Sequence, residues 1–204
     1  MVEQPKPSEI SNVFGMDHPQ HMWTKLAWEL NGLMNSMSVW KDNEAAPEPL
    51  FHAFNTAVTA WHVSDWLWQY SPQLRTKLAT KFQIVFEETP TGVRNGLGKF
   101  QNAVVPHSDA LRICREIATG SKHMRKDKVD HSIKAQAVWT KEIKGVGFVK
   151  PGDLSMSLRV TFNDREMDAE LAFIEAAGYW EKLMIELEVF TKDARLPDKI
   201  VKEG

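Results

Sequence analysis

Cysteine is almost missing from this chain: Cys114 is the only one in 204 residues. A single thiol excludes an intramolecular disulfide framework and any paired-cysteine motif. An excess of one charge is also missing, with 25 Lys plus Arg against 27 Asp plus Glu, so net charge gives no argument for a polyanionic partner. No P-loop, dinucleotide-binding glycine motif or Gly-x-Ser-x-Gly elbow occurs, which argues against those common enzyme classes. The opening residues, MVEQPKPSEIS, lack the basic flank and apolar run of a secretory signal. The one segment to consider for a membrane span, Phe51 to Trp68, contains an Asn, two His and an Asp and reads as a core helix instead. A reducing, cytoplasmic location without a membrane partner is expected.

What the chain does have is tryptophan and helical periodicity. Eight Trp supply large areas for burial, and the length suits one well-packed domain. The expected organisation is a loose lead-in over 1–16, a single helical domain over 17–190 with a β insertion at about 131–170, and a polar tail over 191–204. Asp17-His18-Pro19 starts a helix whose Trp23, Leu26, Leu30, Leu33 and Met37 recur at three and four. A central helix follows to about Tyr70. Ser71-Pro72 caps a third, carried by Leu74, Leu78, Phe82 and Val85, and TPTGVRNGLG over 89–98 reads as a loop. A fourth helix begins near Ser108 and is expected to end at Gly120.

The period then becomes two. Ile133, Ala135, Ala137 and Trp139 alternate with polar neighbours, as do Met156, Leu158, Val160 and Phe162, so both segments predict half-buried strands. Asn163-Asp164 predicts a turn into a short third strand near 166–170, and Val146 to Val149 is a candidate fourth. Phe173, Ala176, Trp180, Leu183, Met184 and Phe190 mark a closing helix. The fold class is therefore mainly α: a bundle of about five helices with a small antiparallel β-sheet inserted before the last helix.

Three constellations carry candidate chemistry. On the central helix, Asn55, His62 and Asp65 stand at i, i+7 and i+10, along one stripe of a helix expected to be enclosed by neighbours. Asp65 is placed to orient the His62 imidazole as a base, and Asn55 to hold a substrate polar group. The same three residues also suit a purely structural buried network. At the end of the fourth helix, Arg115, Ser121, Lys122 and His123 are followed by Arg125, Lys126 and Lys128, a local positive field beside a histidine. A third set, His52, His62, Asp65 and His123, has the residue types of a metal centre but no H-x-x-x-H or E-x-x-H spacing. Neither a bound metal nor a cofactor is expected. His18, His21, His107 and His131 read as surface residues, and Trp61, Trp66 and Trp68 as core.

The helix FNTAVTAWHVSDW, followed some way on by a helix ending IATGSKH, resembles an uncharacterised bacterial helical family that pairs an H-x-x-D-W helix with a Lys-His helix end. More distantly, the Arg and His of the second helix resemble the HEPN-type domains, several of which cleave RNA without a metal. In this chain seven residues separate Arg115 from His123, and Glu116 follows the Arg. The resemblance implies an RNA or nucleotide partner, with His123 as acid or base, His62 and Asp65 beside it, and Asn55, Arg115, Ser121, Lys122, Arg125 and Lys126 in contact with the ligand. Two other readings stand beside it: a non-catalytic, homo-oligomeric interaction protein fixed by a buried polar network, and a metal-dependent enzyme of a helical bundle.

Overall fold

The computed structural model describes residues 16–39, 48–89, 92–122, 133–141 and 154–190. Helices α1 (Pro19–Val39) and α2 (Glu48–Gln69) pack along each other and against α5 (Asp109–Lys122) and α6 (Ala169–Glu186). Two shorter helices, α3 (Pro72–Lys81) and α4 (Leu97–Val104), close the far end of α2. Between α5 and α6 lies an antiparallel sheet in the order β3 (Ile133–Lys141), β4 (Leu154–Phe162), β5 (Arg165–Asp168). The protein is thus mainly helical with a small sheet before the last helix. Among the described residues no helix is long and apolar enough to cross a membrane. The lead-in before Met16, the candidate strand at 146–149 and the tail after Phe190 lie outside the described residues.

Local chemistry accounts for most element boundaries. Ser71 adopts an extended φ of −155° and its hydroxyl accepts from the Leu74 N–H at 3.1 Å, with Pro72 at the first helical position of α3. That helix stops at Lys81, short of Val85. Gln83 turns left-handed (φ 54°), the Gln83 N–H donates to Thr80 O, and the Ile84 N–H donates to Ala79 O. This is a Schellman ending formed without glycine. The end of α6 repeats it, with Glu188 at φ 59° and the Val189 N–H on Met184 O. Conversely, Gly120 does not end α5, which runs on to Lys122. At Asn163-Asp164 both residues have positive φ and join Phe162 to Arg165, the two-residue hairpin that the sequence predicts.

The loop reading of 89–98 holds only in part. Glu87–Thr89 (β1) and Gly92–Arg94 (β2) form a short hairpin, and α4 follows at once. Helix α4 exists because of what it buries: Phe100 stacks on Trp68 with centroids 5.5 Å apart, and Phe82 meets it edge-on. The core runs from there along α2 to the sheet. Trp180 is fully buried and donates its indole N–H to Ala60 O at 2.7 Å, tying α6 to α2 without an unpaired polar group. On the sheet, Leu158, Val160 and Phe162 face the helices, and the Arg112 guanidinium of α5 lies over the Phe162 ring.

Candidate functional site

Helix α2 is not enclosed all round. Its inner faces bury Ala57, Ala60, Trp61, Val63, Ser64, Leu67 and Trp68, whereas Phe51, Phe54 and Asn55 are exposed in its first turns. Asn55 and His62, two turns apart, share this outward side, and His62 is half-buried. Asp65 is turned about 60° away from His62, by helix geometry, and meets α4. There the Gln101 side-chain amide donates to Asp65 Oδ1 at 2.6 Å and reaches Ser64 Oγ at 3.1 Å, while Ser64 Oγ donates to Trp61 O at 2.7 Å. The carboxylate the sequence pairs with an imidazole is thus held by an amide 36 residues further along the chain.

Arg115 converges on the same place from α5. Its guanidinium donates to Asn102 Oδ1 at 3.3 Å, lies 6.0 Å from the Trp61 ring centroid, and has Glu116 Oε1 3.6 Å from its Nε. Gln101 and Asn102 are consecutive residues of α4, so Asp65 and Arg115 hold one short helix from two sides. Ser121 and Lys122 lie in the last turn of α5. His123, Arg125 and Lys126 lie outside the described residues. The thiol of Cys114, fully buried on α5, is pushed up to about 12 by that burial, which removes it as a nucleophile at neutral pH.

Of the metal-like set, His123 lies outside the described residues, and His52 is engaged away from Asp65. His52 faces α1, where its Nδ1 is 3.6 Å from Glu29 Oε2 and its Nε2 is 3.5 Å from Glu48 Oε1. Among the described residues no group of three His, Cys, Asp or Glu side chains is disposed to hold a metal ion. Glu29 is a residue the sequence reading passed over, although it interrupts the apolar stripe of Leu26, Leu30 and Leu33. It is buried. Lys25 Nζ donates to its Oε1 at 2.8 Å and to Thr59 Oγ1 at 2.7 Å, while Glu29 Oε2 and His52 Nδ1 are both buried without a hydrogen-bond partner. Gly32 admits the imidazole, since a Cβ there would come within 2.7 Å of His52 Cε1. Of the surface histidines, His18 is half-buried instead, with its ring edge-on to Tyr70 at 4.6 Å.

A groove of about 180 Å³ opens where the first turns of α2 meet the sheet and α6. Its walls include Leu50, Phe54, Ile117, Leu158 and Phe173, with Gln136 and Arg159 as its polar members. Alanines make the space. Ala135 and Ala137 of β3 stand opposite Val160 and Leu158 of β4, and Ala53 and Ala169 stand on the flanking helices. A larger side chain at any of these positions would occupy the space. Arg159 is engaged by Asp168 at 3.0 Å and lies 3.6 Å from Glu166, so the groove presents apolar surface rather than a free cation. Compared with known protein families, with curated proteins and with solved structures, the chain matches none.

Proposed function

We propose that the protein is a non-catalytic interaction protein whose working surface is this groove, and that the groove seats one compact apolar group of a partner. The observation that carries the reading is an open cleft between α2, the sheet and α6 whose lining is apolar but for Gln136 and the ion-paired Arg159. Its volume, about 180 Å³, is close to that of a cavity that accepts benzene, roughly 150 Å³, and is too small for a nucleotide. Asp65 and Arg115, one candidate for catalysis and one for ligand contact, hold α4, which suits a structural role. The test is thermal denaturation with a small aromatic such as indole. Binding to the native state alone raises the melting temperature with the logarithm of ligand concentration above Kd, and Ala137→Leu, which fills the groove, should abolish the rise. No rise in the wild type up to the solubility limit of indole refutes the reading.

A second reading is favoured by a different observation. Helix α5 continues through Gly120, so position 122 follows Arg115 by two turns on the same side of one helix, and Lys122, Arg125, Lys126 and Lys128 come in quick succession. This arrangement supports a HEPN-like contact with RNA, with Ser121 and Asn55 as further contacts and His123, His62 and Asp65 as the acid–base set. Labelled RNA titrated at two salt concentrations tests it, because phosphate contacts release counterions and weaken steeply with salt. Lys122→Glu with Arg125→Glu should abolish binding, and His123→Ala should abolish any cleavage while leaving binding intact. Absence of binding at low salt removes this reading.

A further inference from the structure

Helix α6 buries Phe173, Ala176, Trp180, Leu183 and Met184 on its inner side. Its outer side carries the exposed charges Glu175, Glu181, Lys182 and Glu186, as a solvent-facing helix does, but an apolar stripe runs between them. Leu171, Ile174 and Ile185 are exposed by 54%, 44% and 59%, and Gly178 lies between them on the same stripe. Leu171, Gly178 and Ile185 are spaced at seven, with Ile174 three after the first, which is the spacing of a helix–helix seam. Gly178 sits at the middle of the 18-residue helix, and a Cβ added there would meet nothing within 4 Å. The glycine therefore serves no contact inside the described molecule, although it costs helix stability of about 1 kcal/mol relative to alanine.

We infer that this stripe is the contact surface for a second copy of the chain, with two α6 helices packed antiparallel about a two-fold axis at Gly178. Leu171 and Ile185 stand symmetrically about that point, whereas the counterpart of Ile174 is Lys182. Leu171 of one copy meets Ile185 of the other at both ends, seven residues either side of the axis, and the paired glycines let the backbones approach at the centre. Charge agrees with this direction. Glu175 and Lys182 are exposed on one flank of the stripe, and antiparallel pairing brings like flanks together, so each Glu175 faces the other copy's Lys182. The helix is about 27 Å long at 1.5 Å per residue, which covers less than the roughly 800 Å² per partner of a standard stable interface. The dimer is consequently weak and concentration-dependent. The inference does not rest on the groove, whose α6 lining is Ala169 and Phe173 and none of the stripe residues.

Sedimentation equilibrium of the full chain from micromolar to millimolar concentration should show reversible monomer–dimer association. Gly178→Glu places two carboxylates at the axis without meeting any atom of its own molecule, and should weaken association at least about tenfold while circular dichroism stays that of the wild type. Lys182→Glu should also weaken it, and adding Glu175→Lys should restore it. Under oxidising conditions Gly178→Cys should form a disulfide-linked dimer with itself. Leu171→Cys should cross-link with Ile185→Cys in a mixture, and neither with itself. The buried Cys114 does not compete. A chain that remains monomeric at millimolar concentration, or Leu171→Cys cross-linking to itself, overturns the proposal.

Discussion

Replacing Gly96 with alanine is the sharpest test of the packing described above. Gly96 precedes α4 with φ −88° and ψ −51°, an ordinary right-handed conformation, so no backbone strain calls for glycine. The demand is steric. A Cβ at this position would fall 2.4 Å from Trp68 Cζ2, 2.9 Å from Cε2 and 3.0 Å from Nε1, where ordinary carbon contacts begin at about 3.5 Å. The indole has nowhere to go, being fully buried, stacked on Phe100 and edge-on to Phe86 at 5.5 Å. Either α4 or the ring must shift by about 1 Å, and overpacking of this kind costs about 1 to 3 kcal/mol; the rigid ring places this case at the upper end. The entropic gain of Gly→Ala in the unfolded chain offsets only about 0.4 to 1 kcal/mol. A net loss of about 2 kcal/mol lowers the melting temperature by roughly 4 to 8 °C for a chain of this size. Urea and thermal denaturation measure it, and near-UV circular dichroism reports the displaced indole. Gly98→Ala is the control: a Cβ there meets nothing within 4 Å, and the protein should gain about 0.5 to 1 kcal/mol from helix propensity. Wild-type melting of Gly96→Ala, or equal effects of the two substitutions, would refute the reasoning.

Three further outcomes are expected. Asp65→Ala removes the nearer of the two acceptors of the Gln101 amide, leaving Ser64 Oγ, and should cost about 1 to 2 kcal/mol, with the effects of Asp65→Ala and Gln101→Ala adding to less than their sum because the two residues share a bond. Gln83→Gly should raise stability by a few tenths to about 1 kcal/mol in a denaturant titration, since a left-handed φ burdens a side chain and not glycine; a loss would mean that the Gln83 side chain contributes more than the strain it carries. Burial, then the neighbouring His21, lower the His18 pKa, with Asp17 opposing, and the Gln20 N–H donates to His18 Nδ1 at 3.2 Å, which requires that nitrogen unprotonated. A histidine with a depressed native pKa contributes stability in full above its unfolded value near 6.5 and loses it as pH falls below that, so the melting temperature should drop from pH 7 to 5, and less steeply in His18→Gln.

The parts of the fold written in local periodicity were legible. Helices α1, α2 and α6, the strands of the three-stranded sheet and the Asn163-Asp164 turn all follow from patterns within a few residues. What escaped depends on distant partners. LGKFQNAV carries a glycine in its first turn and precedes a proline, so nothing local marks α4; it forms because Phe100 finds Trp68, more than thirty residues earlier in the chain. The ends at Lys81 and Glu186 carry no glycine signal because packing holds Gln83 and Glu188 left-handed. The central stripe was legible as residues and not as geometry. Asn55 and His62 face outward because none of the described elements covers α2 on that side, and residues of other helices meet Asp65, Arg115 and His52. Alternation on β3 reads as core, yet its alanines form the floor of an open groove.

The junction between β5 and α6 has no loop: Asp168 ends the strand and Ala169 begins the helix. Asp168 is the N-cap, yet its carboxylate makes no capping bond and is held by Arg159 on the neighbouring strand, its register partner. The hairpin thereby acts as an indexing mechanism for the last helix. A single residue inserted at Asn163-Asp164 would advance the count by one, invert the faces of β5 and rotate α6 by about 100°, carrying Trp180 out of the core and away from the Ala60 carbonyl. Length is a free variable in many surface turns; in this one it is the setting of a gear.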